Sequence, residues 1–125
     1  MATVDNSKIF LEGAYSDATV KVPGETTFKK GLILGRDENG DLTAFTSENE
    51  GSEPLYILAQ DIINEEENAE EFPLARVFEY GAVNKDKIIF ANEDDAEDAT
   101  VLDALKRNGF SLELVNELTD RSSLA

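Results

Sequence analysis

Phe28-Lys29-Lys30-Gly31-Leu32-Ile33-Leu34-Gly35-Arg36 leads through Asp37-Glu38-Asn39-Gly40-Asp41 into Leu42-Thr43-Ala44-Phe45-Thr46-Ser47. Two short apolar runs flank a polar loop centred on Asn39-Gly40. That dipeptide is a strong hairpin signal, because both residues tolerate positive φ. The pattern predicts a strand over 28–36 and an antiparallel neighbour over 42–47. Further along, Leu55–Gln60 reads as a third strand, and Pro54 suits the position just before it. Asn64–Glu71 reads as a charged loop. Leu74–Tyr80 and Lys87–Ala91 read as two more strands, joined through Gly81 and Asn84-Lys85-Asp86.

The period then becomes helical. Ala99, Leu102 and Leu105 recur at three-residue steps, flanked by Val101 and Ala104. Asp94, Asp95, Glu97 and Asp98 gather where a helix N-terminus favours anions, and Lys106 and Arg107 where its C-terminus favours cations. Asn108-Gly109 supplies a stop, so a helix is expected near 95–108. Phe110, Leu112 and Leu114 alternate as a last strand. The expected fold class is α+β and β-rich: a small antiparallel β domain with one C-terminal helix. Residues 1–27 alternate weakly and are interrupted by Gly13, Ser16, Pro23 and Gly24. They hold too few apolar residues for a core of their own. The expectation is an N-terminal arm or edge strands over 1–27, ahead of a domain over 28–125.

The 125 residues suit one domain. Eleven basic residues face twenty-seven acidic ones, a net charge of −16. Residues 1–36 carry five basic and four acidic side chains, a net of +1, which leaves −17 on the remainder. This balance opposes binding to a nucleic-acid backbone, which needs cations, and to an anionic membrane surface. Apolar runs are short beside the roughly 20 residues of a membrane span, and residues 1–10 have no signal-peptide core. A soluble protein is expected.

The chain has no His, Cys or Trp. Zinc or haem ligation through His or Cys, thiol nucleophiles and Ser-His-Asp triads are therefore excluded. Asp37, Asn39, Asp41 and Glu48 reproduce EF-hand positions 1, 3, 5 and 12. Leu42 stands where that loop needs Gly and the flanks are strand-like, so the turn is the better reading and calcium a weak alternative. The acidic stretches Glu65–Glu71 and Glu93–Asp98 read as a solvated loop and a helix start. Gly31 and Gly35 lack a GK[ST] ending and lie in a strand. Paired glycosidase carboxylates cannot be singled out among so many acids. The expectation is no enzyme and no cofactor, which leaves binding or assembly.

Lys30-Gly31-Leu32-Ile33-Leu34-Gly35 with Gly40-Asp41-Leu42, then Leu55–Asp61, then Ala75-Arg76-Val77 with Gly81-Ala82-Val83, resemble patches of the bacteriophage head decoration proteins of the lambda type. Leu105-Lys106-Arg107-Asn108-Gly109-Phe110 is similar to the ending of longer phage relatives. The resemblance covers about residues 28–115, by the reading that set the strands. Tyr56 replaces a usual small residue, and the lambda protein's Ser/Thr/Pro-rich arm has no counterpart. The resemblance implies a β-tulip-like domain in a structural protein of the virion. Such proteins are made in the host cytoplasm and bind the major capsid protein outside the expanded head of a tailed phage. It also implies a homotrimer whose N-terminal arm adds a strand to the capsid. On this basis Lys8, Ile9, Phe10, Leu11, Tyr15, Lys21 and Val22 are expected to form the capsid-binding arm. Phe72, Leu74 and Val83 are expected at the oligomer interface. The alternative is an acidic DNA mimic that inhibits a nucleic-acid-binding enzyme.

Overall fold

Successive side chains of a strand point to opposite faces of its sheet. Adjacent apolar pairs such as Ile33-Leu34, Ile57-Leu58 and Val77-Phe78 therefore call for a sheet covered on both sides. The computed structural model, which describes residues 9–46 and 54–113, has that arrangement. Strands β1 (Phe10–Thr19), β3 (Ile33–Arg36), β4 (Leu42–Ala44), β5 (Tyr56–Leu58) and β7 (Leu74–Asn84) form one sheet in the order β1-β7-β5-β3-β4. Strand β8 (Phe110–Glu113) runs parallel beside the end of β7, and β2 (Thr26–Phe28) pairs with β6 (Ile62–Asn64) in a small second sheet. Ile33 pairs with Ile57, and Ile57 with Phe78. These three enter a core completed by Phe10, Val101, Leu105 and Phe110. Leu34, Leu58 and Val77 enter a second core with Val20, Val22, Phe28 and Ile62. The fold is β-rich α+β.

The helix differs from the single span expected near 95–108. A 3₁₀ turn, Glu93–Glu97, precedes helix α1, Ala99–Arg107, and the two are separated by Asp98 in an extended conformation. The cause is a capping preference. The Asp98 carboxylate accepts the Thr100 backbone N–H at 2.9 Å, and Asn92 serves the turn likewise through Asp94 N–H at 3.1 Å. Asp94, Asp95 and Glu97 thus belong to the turn, and Asp98 alone faces the α1 N-terminus.

Three strand readings and one loop reading also differ in the structure. The run 28–36 divides into β2 and β3, because the chain turns at Lys29–Leu32 with Leu32 N–H donating to Lys29 O at 3.1 Å. Lys87–Ala91 forms an isolated parallel bridge, Leu32 to Ile89, rather than a strand. The strand expected to end at Tyr80 continues through Gly81 to Asn84. The loop read from Asn64 begins with a buried residue. Asn64 closes β6, and its amide donates to the carbonyls of Val22, Pro23 and Ala69 at 2.8–3.1 Å.

The 37–41 loop is a hairpin turn. Asp37 N–H donates to Asp41 O at 2.8 Å, and Gly40 N–H to Asp37 O at 3.0 Å. Gly40 alone of the Asn-Gly pair takes positive φ, +83°. A three-residue loop ending on a left-handed glycine explains this, since the two-residue turn would place both there.

The front of the chain is part of the domain from Ile9 onward. Strand β1 pairs with β7 from Phe10–Val83 to Thr19–Leu74. Beyond it, Val20 N–H donates to Pro73 O at 2.9 Å, and Val22 exchanges hydrogen bonds with Glu71. Gly13 and Gly81 face each other in this ladder. A Cβ on Gly81 would lie 2.1 Å from the Glu12 carbonyl oxygen, and one on Gly13 equally close, 2.1 Å, to the Tyr80 oxygen. The Phe78 ring fills the volume that both missing side chains leave. Gly81→Ala is expected to lower stability by about 2 kcal/mol or more, from overpacking and from a φ of the wrong sign. A reduced urea midpoint would register this, and an unchanged midpoint would contradict the close approach.

Candidate interaction surface

Strand β1 lies at one end of the sheet, and its regular part carries a free edge. Val20 directs its N–H at the β7 side. By the alternation of an antiparallel ladder, Ala18 and Ser16 do the same, and Tyr15, Asp17 and Thr19 turn their backbone groups outward. Lys21 N–H, donating to Leu42 O at 2.7 Å on the far side, agrees with that alternation. Register shifts fall between Phe10 and Glu12 and between Ala14 and Tyr15, leaving Tyr15–Thr19 uninterrupted. No described strand pairs with the outer side of this stretch, which ends where Val20 forms a parallel bridge to Leu42 of β4.

Side chains next to this edge form a mixed face of apolar residues with one acidic and one basic side chain, Asp17 and Arg76. Tyr15 pairs with Phe78, Asp17 with Arg76 and Thr19 with Leu74, so these six share one face. Phe78 is covered by the core, whereas Leu74 is 68% exposed and Tyr15 41%. The Arg76 guanidinium lies 4.8 Å from the Tyr15 ring centroid, within cation–π range. The inner side of that ring meets Phe10 and Phe78 edge-on at 5.7 and 5.1 Å. Tyr15 is thereby held in place with one side open. Phe72, 53% exposed, precedes Leu74 by two residues.

The residues expected to form a capsid-binding arm are dispersed. Lys8 lies outside the described residues. Ile9 and Leu11 are half-buried, and Tyr15 is exposed. Phe10 and Val22 are buried, one in each core, which removes both from any contact surface. The cause is the length of β1 and its continuation: each apolar residue read as an arm anchor has a place in this domain. Lys21 is committed to Asp37 at 2.7 Å and Glu70 at 3.4 Å. Of the three interface residues, Phe72 and Leu74 are exposed, but Val83 is fully buried. It points into the first core beside Phe10, so it cannot meet another subunit.

The EF-hand-like residues build the turn. Asp37 Oδ1 accepts N–H groups of Asn39 and Asp41 at 2.9 and 3.0 Å, and its Oδ2 holds Lys21. Glu48 lies outside the described residues. A cavity of about 320 Å³ lined by Phe28, Leu32, Ala44, Ile89 and Ala91 offers an apolar wall with Lys29 as its only charged residue. Among the described residues no acid–base pair faces it. Sequence reading missed Arg76 as a partner of Tyr15, because Gly13 and Ser16 looked like breaks. The alternation of Tyr15, Asp17 and Thr19 was the available signal.

Comparison with family models, curated proteins and solved structures finds no match for this chain.

The Lys21–Asp37 pair ties the start of the 20–22 segment to the hairpin, with both side chains largely shielded at 19% and 16% exposure. The Lys21 hydrogen bond, aided by the Asp41 and Asn39 N–H groups, holds the Asp37 carboxyl below its ordinary value. The hydrogen bond to Asp37 raises Lys21, against a smaller opposing effect of burial. A depressed carboxyl stabilises the fold above its unfolded pKa, about 3.9, and the gain is lost as pH falls through the folded value. Asp37→Asn is expected to be less stable than wild type at neutral pH. The difference should close in acid below about pH 4. Urea unfolding from neutral pH into acid would show it, and a gap independent of pH would exclude the charge as its source.

Proposed function

We propose that the chain is a structural decoration protein that binds the outer surface of an expanded tailed-phage head and stabilises it. The observation that carries this reading is the free, regular β1 edge at Tyr15–Thr19 beside the exposed Leu74, Phe72 and Arg76 side chains. An open edge offers backbone hydrogen bonds to an extended segment, and neighbouring side chains supply specificity. The patches that resemble lambda-type decoration proteins fall on contiguous elements: the β3–β4 hairpin, β5, β7 and the junction of α1 with β8. This supports the reading, as does the charge step from +1 over residues 1–36 to −17 beyond. The near-neutral segment approaches the major capsid protein while the acidic body stays in water. Assembly as a homotrimer would add avidity, because several modest contacts engage together. In this reading the chain performs no catalysis and takes no cofactor.

Asp17→Pro tests the edge directly. Its backbone nitrogen faces outward, so proline removes a donor from the edge and none from the β1–β7 ladder. The variant is expected to keep the wild-type thermal midpoint and to lose co-sedimentation with purified expanded heads. Wild-type protein that stays in the supernatant with expanded heads would overturn the function. A variant that pellets like wild type would overturn the docking edge. Capture by a basic nuclease, weakening steeply with salt, would instead favour the acidic DNA mimic.

A further inference from the structure

Among the described residues the chain contains two Asn-Gly pairs, Asn39-Gly40 and Asn108-Gly109. Asn-Gly is the dipeptide in which the following backbone nitrogen is least hindered from attacking the asparagine side chain. The two pairs sit in opposite environments. We propose that Asn39 is a site of spontaneous deamidation in the folded protein, and that the fold protects Asn108 from the same reaction.

Asn39 and Gly40 are both exposed at the hairpin tip. The Asn39 carboxamide makes no hydrogen bond among the described residues; only its backbone N–H is engaged, to Asp37 Oδ1 at 2.9 Å. Around Gly40 no atom lies within 4 Å of where a Cβ would stand. A single turn hydrogen bond, Gly40 N–H to Asp37 O at 3.0 Å, has to open before the nitrogen can swing to the Asn39 side chain. That bond is at the surface, where water replaces it at little cost.

Asn108 is fixed from both ends of its amide. Its Nδ2 donates to Ala104 O at 2.7 Å, and its Oδ1 accepts the N–H of Leu55 at 3.1 Å. Leu55 is 1% exposed. Rotating the carboxamide toward Gly109 would leave the shielded Leu55 N–H without a partner and take from Ala104 O the shorter of its two hydrogen bonds, the other coming from the Asn108 backbone N–H at 3.1 Å. Gly109 is itself held by an N–H to Lys106 O hydrogen bond of 3.0 Å and lies against Tyr80.

The chemistry balances with water alone. Hydroxide takes the Gly40 amide proton, and the nitrogen attacks Asn39 Cγ. The N–Cγ bond closes a cyclic imide, the Cγ–Nδ2 bond breaks, and Nδ2 leaves as ammonia after protonation by water. A water molecule then opens the imide at either carbonyl, giving aspartate or isoaspartate. Nothing is oxidised or reduced. Either product adds a carboxylate beside Asp37, Glu38 and Asp41. Isoaspartate also lengthens the backbone inside the loop where Asn39 and Asp41 N–H groups share Asp37 Oδ1. Conversion would therefore loosen the β3–β4 hairpin and the Asp37–Lys21 pair.

The test incubates the full chain at mildly alkaline pH, folded and in urea, and follows both peptides by mass spectrometry with isoaspartate detection. In the folded protein, Asn39 is expected to convert at least tenfold faster than Asn108, and in urea the two rates should converge. An Asn39→Gln control should lose the conversion at this position in both states. Equal rates in the folded protein, or an Asn39 that stays intact when folded, would overturn the proposal.

Discussion

The close approach of β1 to β7 at Gly13 and Gly81 is the constraint on which most of this structure depends. With carbonyl oxygens where two Cβ atoms would stand, no other residue type fits either position without displacement. The space is used by Phe78, whose ring covers the glycine pair and contacts Phe10, Tyr15 and Phe110. One aromatic residue thus couples the N-terminal strand, the central strand and the segment after the helix. It is also in register with Ile57 and hence with Ile33 across the sheet. Loss of the β1–β7 pairing would expose Phe78 and open the first core. It would also release Val20 and Val22 from the second, because both follow β1 directly.

This arrangement explains why the β1 edge is both available and rigid. An edge strand that merely frays makes a poor template, since ordering it on a partner costs about 1–2 kcal/mol per residue. Here that cost is already met within the domain by the β7 ladder, by Tyr15 between Phe10, Phe78 and Arg76, and by Val20 at the strand's end. A partner segment would be the only component to lose freedom. Preorganisation of this kind favours binding without enlarging the contact area.

Local signals in the sequence were reliable where one residue dictates a conformation, and weaker where tertiary pairing decides. The Asp37–Asp41 turn, the β3 and β4 strands and the end of α1 were legible from Asn39-Gly40, the flanking apolar runs and Lys106-Arg107-Asn108-Gly109. The break at Asp98 was not, because four neighbouring acids suit a helix start equally well and only capping geometry separates them. The continuity of β1 was hidden because Gly13 reads as an interruption, and its meaning comes from Gly81, 68 residues away. Phe10, Val22 and Val83 were placed on a surface because alternation alone does not tell which face is covered. For the candidate surface, exposed Leu74 and Phe72 were identifiable. Arg76 was not, since its role follows from the register that sets it beside Tyr15.

Distance and charge oppose pairing of this edge with a second copy of the chain. Two β1 edges meeting antiparallel in a register centred on Asp17 would oppose the two Asp17 carboxylates, with Cβ atoms about 5 Å apart. That is shorter than the Debye length of about 8 Å at physiological salt, so screening leaves most of the repulsion in place. Each copy also brings a net charge of −16. The register shifts ahead of Tyr15 shorten the regular edge further, another device by which natural sheets resist edge pairing. A neutral or basic extended segment meets neither obstacle: a lysine or arginine opposite Asp17 turns the repulsive position into an attractive one. The acidity that opposes binding to nucleic acid and anionic membranes would thereby also select among strands, disfavouring an acidic one at this edge and favouring a basic one.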